Sequence, residues 1–197
     1  METDEALHID TSRRVSIIAL MTALALVGNY TLVMIPNVEL GSTILFVTAY
    51  TFGWTIGAPC ALIMSVVFGF VNPWGFAVPE ILVAQIIAWL YVVAAGAMMG
   101  SSNPSERTKI AKRWQLAGTG LFLTFFFDLL TNYGFAIAFG LPYWVALMSG
   151  LPFMVVHVVS NTIIFGAVIP NLDTTIKTQF RFSIWRPTSG IGYLSEE

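Results

Sequence analysis

All nine Lys and Arg residues of the chain lie in three short segments: Arg13 and Arg14, the segment 107–113, and Lys177, Arg181 and Arg186. The two long stretches between these segments are almost entirely apolar. Basic residues near the ends of membrane-crossing segments collect on the cytoplasmic side. We therefore expect all three segments to face the cytoplasm, and each apolar stretch to cross the membrane an even number of times.

The composition excludes an ordinary soluble domain, because only 10% of the residues are charged and 56% are hydrophobic. Soluble domains carry about 25% charged residues. The single cysteine, Cys60, permits neither a disulfide within the chain nor a cysteine-based metal site. The acidic residues ahead of Arg13 do not resemble a cleaved secretory signal, so we expect the first apolar segment to remain as a membrane helix.

The apolar runs predict an all-α membrane protein with six transmembrane helices, at about 15–35, 40–57, 59–71, 79–100, 115–139 and 143–169. The uncharged stretch 40–71 is too long for one crossing and has to return to the outer side, because the fourth span ends at the central basic segment. We interpret it as two short helices that turn at Gly57-Ala58-Pro59, with a re-entrant pair as the alternative. Residues 1–14 and 171–197 are then cytoplasmic tails.

Four polar residues lie deep in the last two spans. Asp128 and Asn132 stand four residues apart in the fifth span, and His157 and Asn161 stand four apart in the sixth. From the helix rise, Asp128 lies about 16 Å and His157 about 19 Å from the inner end, so the two could meet. Such residues are costly in a membrane, and either hold the two helices together or bind a ligand or proton. No nucleophile is paired with them, so we do not expect an enzyme.

Polar and aromatic residues concentrate at the predicted outer ends of the spans, where no Lys or Arg occurs. Aromatic residues at this level commonly form a membrane-interface belt, and loop carboxylates are commonly solvated. The same side chains also suit a pocket in which a flat organic molecule stacks on rings and accepts a few hydrogen bonds. The candidates for this pocket are Asn37, Glu39, Glu80, Gln85, Trp89, Asn132 and Tyr133.

The chain offers no means of using ATP by itself. Gly118-Thr119-Gly120 lacks the spacing of a phosphate-binding loop, so ATP coupling would require partner proteins. Ala19 and Ala23 stand four residues apart in the first span, and such a small-residue face lets another helix approach closely.

Several segments together resemble the substrate-binding (S) components of energy-coupling-factor (ECF) transporters. The carriers of the resemblance are the Ala-rich first helix (Ala19-Leu-Met-Thr-Ala23), the pattern Gly53-Trp-Thr-Ile-Gly57 between two short helices, and the stretch from Asp128 to Gly140. The resemblance covers residues 13–170 and includes the six-helix layout with both ends in the cytoplasm.

The resemblance implies a multi-pass protein of a prokaryotic plasma membrane that captures a vitamin-like molecule outside and delivers it inward. A coupling membrane protein and two ATPase subunits would drive delivery, with Ala19 and Ala23 docking on the coupling protein. The pocket candidates given above would bind the ligand, while Asp128, His157 and Asn161 would lie at or below its floor. Glu2 stands where metal-uptake members carry a histidine near the N-terminus, so we expect an organic ligand, no metal, no cofactor and no nucleic acid.

Two other functions fit the same sequence features. A six-helix scaffold similar to the cell-shape membrane proteins would use the deep polar residues structurally and would bind no ligand. A proton-linked secondary transporter would use Asp128 and His157 as a proton relay, but the inverted internal repeat typical of such proteins is not evident in the sequence.

Overall fold

In the computed structural model, the described residues are 7–73, 75–100, 113–179, 184 and 186–187. They form six helices: α1 (Thr11–Leu32), α2 (Gly41–Phe52), α3 (Trp54–Phe70), α4 (Pro79–Met99), α5 (Arg113–Phe139) and α6 (Tyr143–Gln179). Two short strands, β1 (Leu7–His8) and β2 (Arg186–Pro187), pair antiparallel. The prediction of an all-helical chain with six helices, of which the second and third are short, is therefore confirmed. Trp74 and the basic segment 107–112 lie outside the described residues.

Four of the helices, α1, α4, α5 and α6, are long and apolar enough to cross a membrane, whereas α2 and α3 are shorter apolar helices. Large apolar side chains cover the outside of the bundle. Leu20 is 68% exposed, Phe122 is 71% exposed and Ile163 is 65% exposed. Contiguous apolar surface of this kind suits lipid rather than water, so the protein is embedded in a membrane.

Helix α2 is the centre of the bundle. All 12 of its residues are buried, and it packs against α1, α3, α4 and α6. A helix that is apolar on every side is stable only when other helices surround it. Close packing against α4 depends on Gly96, because a Cβ atom there would lie 2.6 Å from the carbonyl oxygen of Phe46.

The turn between α2 and α3 lies at Gly53, so the predicted turn at Gly57-Ala58-Pro59 is wrong. Gly53 has φ 81° and ψ 178°, a conformation that glycine adopts far more readily than other residues. Gly57 is instead a packing residue, because a Cβ atom there would lie 2.8 Å from Ala49 Cβ. Pro59 lies inside α3. The predicted spans 40–57 and 59–71 therefore become Gly41–Phe52 and Trp54–Phe70.

Helix α6 continues to Gln179, past the predicted end of the sixth span at residue 169. Pro170 lies within it, since its fixed φ is compatible with a helix and it removes only one backbone hydrogen bond. The extension is anchored to α2 through Asp173, which accepts a hydrogen bond from Thr51 Oγ1 at 3.0 Å and lies 2.9 Å from Lys177 Nζ. Residues 171–179 therefore belong to the helix and not to a separate tail.

Consecutive helices run antiparallel, which brings three loops to one end of the bundle. Gly28, near the end of α1, lies against Leu40 at the start of α2, and Gly134, near the end of α5, lies against Glu80 at the start of α4. The loops 33–40, 71–78 and 140–142 therefore share an end, which we call the Glu39 end. The opposite end, where α2 turns into α3, is the Gly53 end.

Candidate functional site

A cavity of about 590 Å³ lies at the Glu39 end. The loop 33–40 forms one wall, and residues of α1, α3, α4, α5 and α6 form the others. Hydrogen bonds hold this loop against α6: Ser160 Oγ donates to the Asn37 carbonyl at 3.3 Å, and Asn161 Nδ2 donates to Glu39 Oε1 at 3.3 Å. Pockets for small organic ligands have about 300 to 1,000 Å³, so the cavity is large enough for a vitamin-sized molecule.

A buried histidine stands between two carboxylates in the cavity wall. His157 Nδ1 lies 2.8 Å from Asp128 Oδ1, and His157 Nε2 lies 3.6 Å from Glu39 Oε1. The first distance is a hydrogen bond, whereas the second is within ion-pair range but longer than a hydrogen bond. His157 is 5% exposed and Asp128 is 4% exposed. The predicted meeting of Asp128 and His157 is confirmed, but the sequence did not indicate that Glu39 would join them.

The start of α2 positions Glu39. Two backbone N–H groups in the first turn of this helix are bonded by side chains: Gly41 N donates to Asn29 Oδ1 and Ser42 N donates to Glu39 Oε2, both at 2.8 Å. The positive end of the helix dipole also favours a carboxylate here. Burial raises the pKa of Glu39, but His157 and the Ser42 hydrogen bonds lower it by more, so it lies below its ordinary value. Glu39 is therefore held as a carboxylate.

Two amide side chains extend this polar group. Asn161 is fully buried, and its Nδ2 also donates to Thr124 Oγ1 at 3.1 Å. Asn132 Nδ2 donates to the Asp128 carbonyl at 2.8 Å, as expected for residues four apart on a helix. Asn161 does not line the main cavity. Asn132 lines a second cavity of about 380 Å³ that shares Asn37 and Asp128 with the first.

Aromatic rings form the apolar part of the main cavity wall, from Phe68, Trp89, Phe127 and Phe153. Trp89 is 3% exposed, and its indole Nε1 donates to Ser42 Oγ at 3.1 Å. The Trp89 and Phe127 ring centroids are 5.4 Å apart, and the Phe127 ring meets the His157 ring edge-on at 5.6 Å. Because Ser42 bonds both Glu39 and Trp89, it joins the carboxylate wall to the aromatic wall.

The predicted pocket residues separate into two groups. Asn37, Glu39, Gln85 and Trp89 line the main cavity. Asp128 and His157 line it as well, although the sequence placed them at or below its floor.

Glu80 and Tyr133 line neither cavity, and their predicted place in the pocket is wrong. Glu80 is an exposed residue of the first turn of α4, whose buried face begins at Ala84. Tyr133 lies on the exposed face of α5 and packs edge-on against Tyr143 at 5.7 Å. Both residues lie toward the Glu39 end of the bundle, as expected, but on the exposed face of their helix.

Nine residues that line the main cavity were not predicted from the sequence, and five of them lie in helices: Asn29, Phe68, Phe127, Thr131 and Phe153. Asn29 had a readable signal, because it is a polar amide inside an apolar run. The sequence carries no signal for the three phenylalanines, because the chain contains 15 Phe residues and a Phe side chain is equally suited to lipid and to the core.

Ala19 and Ala23 lie on the exposed face of α1. The opposite face of the helix packs into the core through Ile17, Met21 and Ala25. A partner helix would therefore meet a surface with small residues at its centre, which permits close approach.

The fold and the site define a class: a membrane-embedded helical bundle with a cavity whose wall contains both carboxylates and aromatic rings. Among the described residues, no group of three His, Cys, Asp or Glu side chains is arranged to hold a metal ion. No protein-family model, curated protein or solved structure matches the chain. We therefore infer the function of the protein from the chemistry of the cavity itself.

Proposed function

We propose that the protein captures a small organic molecule, such as a vitamin or vitamin precursor, at the outer face of a prokaryotic plasma membrane. It then delivers the molecule inward together with a coupling membrane protein and two ATPase subunits, as an ECF S component does. The observation that carries the proposal is the cavity of about 590 Å³, with polar groups and aromatic rings in its wall. A bundle that needed these polar side chains only to hold its helices together would have no use for such a space.

The positions of the basic residues support an outward-facing cavity. Arg13 and Arg14 begin α1, Arg113 begins α5 and Lys177 lies in the last turn of α6, all at the Gly53 end. No Lys or Arg lies among the described residues of the three loops at the Glu39 end. Basic residues favour the cytoplasmic side, so the Glu39 end would face outward.

The exposed face around Ala19 and Ala23 supports the proposed coupling. A chain without a phosphate-binding loop needs a partner to supply energy from ATP, and a partner helix can pack closely on small residues. The cavity lies at the Glu39 end, whereas Ala19 lies in the half of α1 nearer the Gly53 end. Ligand binding and partner docking would thus use different surfaces.

The test is mass spectrometry of small molecules released from gently purified protein. We expect the wild-type protein to release one organic compound in stoichiometric amount. Thr131→Trp places a large ring at a residue that lines both cavities, and should release little or none. The matched control is Thr119→Trp, the same change three turns earlier on α5 and away from both cavities. Equal release from all three proteins would contradict binding in the cavity.

The two other functions predict different results. The hydrogen bond between His157 and Asp128 connects α6 to α5, as a purely structural role would require. For a scaffold, folded wild-type protein would release no compound, even after growth in rich medium. A proton-linked transporter would take up its substrate in vesicles that contain no ATPase, whereas the proposed function requires the partner proteins for uptake.

A further inference from the structure

We propose that the captured molecule is an organic cation that contains at least one flat ring. This inference rests on the proposed capture function and names the class of ligand. Its basis is the combination of excess negative charge, an unpartnered buried carboxylate oxygen and aromatic rings around one cavity.

The ionisable groups in the cavity wall do not balance. The wall contains Asp128, Glu39 and His157, and none of the described residues that line it is Lys or Arg. Each nitrogen of His157 faces a carboxylate, and only the doubly protonated ring can offer an N–H on both sides. With Asp128 and Glu39 both ionised, two carboxylates and one imidazolium leave one excess negative charge. The N-terminus of α2 offsets part of it, because a helix start carries only about half a positive charge.

Only one of the two carboxylate oxygens of Asp128 has a hydrogen-bond partner among the described residues. Asp128 Oδ1 is bonded to His157, but Asp128 Oδ2 is buried and has no hydrogen-bond partner among the described residues. A buried charged oxygen without a partner is costly, and a ligand that donates a hydrogen bond to it would remove this cost. Asp128 lies in the wall of both cavities, next to the space that a ligand would occupy.

The aromatic part of the wall suits the same kind of ligand. Trp89 and Phe127 lie beside the carboxylates, and Phe68 meets Trp89 edge-on at 6.2 Å. Aromatic faces attract cations, most strongly for Trp, and the attraction increases when water is excluded. The same faces stack against a flat ring. Rings and carboxylates in one cavity therefore favour a molecule that is both flat and positively charged.

Other charge classes fit less well. An anion would face two carboxylates, and His157, the one basic side chain among the described lining residues, is already placed between them. A neutral molecule would leave the excess charge of the wall without a partner in a region of low dielectric constant. A cation completes the charge balance and provides a partner for Asp128 Oδ2.

The experiment compares three two-ring probes of similar size on purified protein that has been stripped of its ligand. The probes are N-benzylpyridinium (a cation), 4-benzylpyridine (neutral in mildly alkaline buffer) and the carboxylate of diphenylmethane (an anion). Calorimetry or Trp fluorescence in lipid nanodiscs gives the affinities. We expect the cation to bind at least about tenfold more tightly than the neutral probe, and the anion to bind most weakly.

Two variants with opposite expectations assign the preference to the cavity. Asp128→Asn keeps the shape of the side chain but removes its charge, and should reduce the preference for the cation to less than about threefold. Glu80→Gln removes an exposed carboxylate from the same end of the bundle and should leave the preference unchanged. If Asp128→Asn does not fold, Glu39→Gln is measured instead. The preference of the wild-type protein for the cationic probe is measured in either case, because it requires no variant.

The outcomes separate this inference from the proposed function. Equal or tighter binding of the neutral or anionic probe, sensitive to Thr131→Trp, would overturn the cation inference but leave capture intact. If no probe binds, the charge of the compound that the protein releases on purification tests the inference. A cationic compound supports it, and a neutral or anionic compound overturns it. Folded protein that binds no probe and releases no compound would overturn both.

Discussion

The hydrogen bond between His157 and Asp128 offers a quantitative test of the buried polar group. Replacing His157 with Gln removes the ring that lies between Asp128 and Glu39, so the two buried carboxylates lose the positive partner that they share among the described residues. Both members of the 2.8 Å pair are at least nine-tenths buried. Breaking a buried pair by removing one partner costs about 3 to 5 kcal/mol, and we expect His157→Gln to lower the free energy of unfolding by this amount.

Asp128→Asn is the second variant of a double-mutant cycle with His157→Gln. It removes the carboxylate that His157→Gln leaves without a positive partner. Asp128→Asn alone should cost less than His157→Gln, because the amide oxygen still accepts a hydrogen bond from the ring and such a bond contributes about 1 kcal/mol. The double variant carries one buried carboxylate fewer than His157→Gln, so it should regain at least about 2 kcal/mol relative to that single variant. Denaturant unfolding in lipid–detergent bicelles measures all four proteins. Costs that add to within about 0.5 kcal/mol would refute direct coupling between the two residues.

Two further predictions concern helix packing and partner docking. Gly96→Ala should cost about 1 to 3 kcal/mol, because the added methyl group meets the Phe46 carbonyl, whereas Gly118→Ala should be neutral or stabilising by up to about 1 kcal/mol, because nothing lies within 4 Å of its Cβ position. Equal effects on the unfolding midpoint would contradict the close packing of α2 and α4. Ala19→Leu and Ala23→Leu should abolish uptake in cells and leave ligand binding to the purified protein unchanged, while Gly118→Leu, which adds bulk at an open position on α5, should affect neither. Loss of binding in the alanine variants would contradict separate surfaces for binding and docking.

The sequence predicts the helix count and the pairing of deep polar residues for simple physical reasons. Apolar runs of membrane length form helices in lipid, because every backbone group has to be hydrogen-bonded within the segment. Depth follows from residue number at about 1.5 Å per residue, which is why the contact between Asp128 and His157 could be predicted from two separate spans. Both inferences need only the position along a helix.

The sequence does not determine which face of a membrane helix points inward, and the errors at Glu80 and Tyr133 arise there. In a soluble helix the polar face marks the water side, but here lipid and core are both apolar, so the pattern carries little directional information. Glycine is ambiguous for a similar reason. Gly53 supplies an unusual backbone conformation and Gly57 supplies close packing, and the two uses look alike in the sequence.

The path of an irregular loop is the other feature that the sequence leaves open. Glu39 could equally have been a solvated loop charge, but the hydrogen bonds from Ser42 and Asn161 turn it toward His157. The contacts of Glu39 with Asn161 and His157 join residues more than 100 positions apart along the chain and depend on how α2 and α6 pack. Conversion of a loop acid into part of a buried charge cluster is therefore a property of the tertiary structure.

Cysteine labelling in intact cells tests directly whether the cavity receives its ligand from outside the cell. Cys60 is the only cysteine and is buried, so Cys60→Ala provides the background. Ile35→Cys places a thiol at an exposed residue of the cavity wall, and Asn103→Cys places one four residues before the central basic segment 107–113. If the cavity faces outward, we expect a membrane-impermeant maleimide to label Ile35→Cys in intact cells and Asn103→Cys only after permeabilisation. The reverse pattern would place the cavity on the cytoplasmic side and contradict capture from outside.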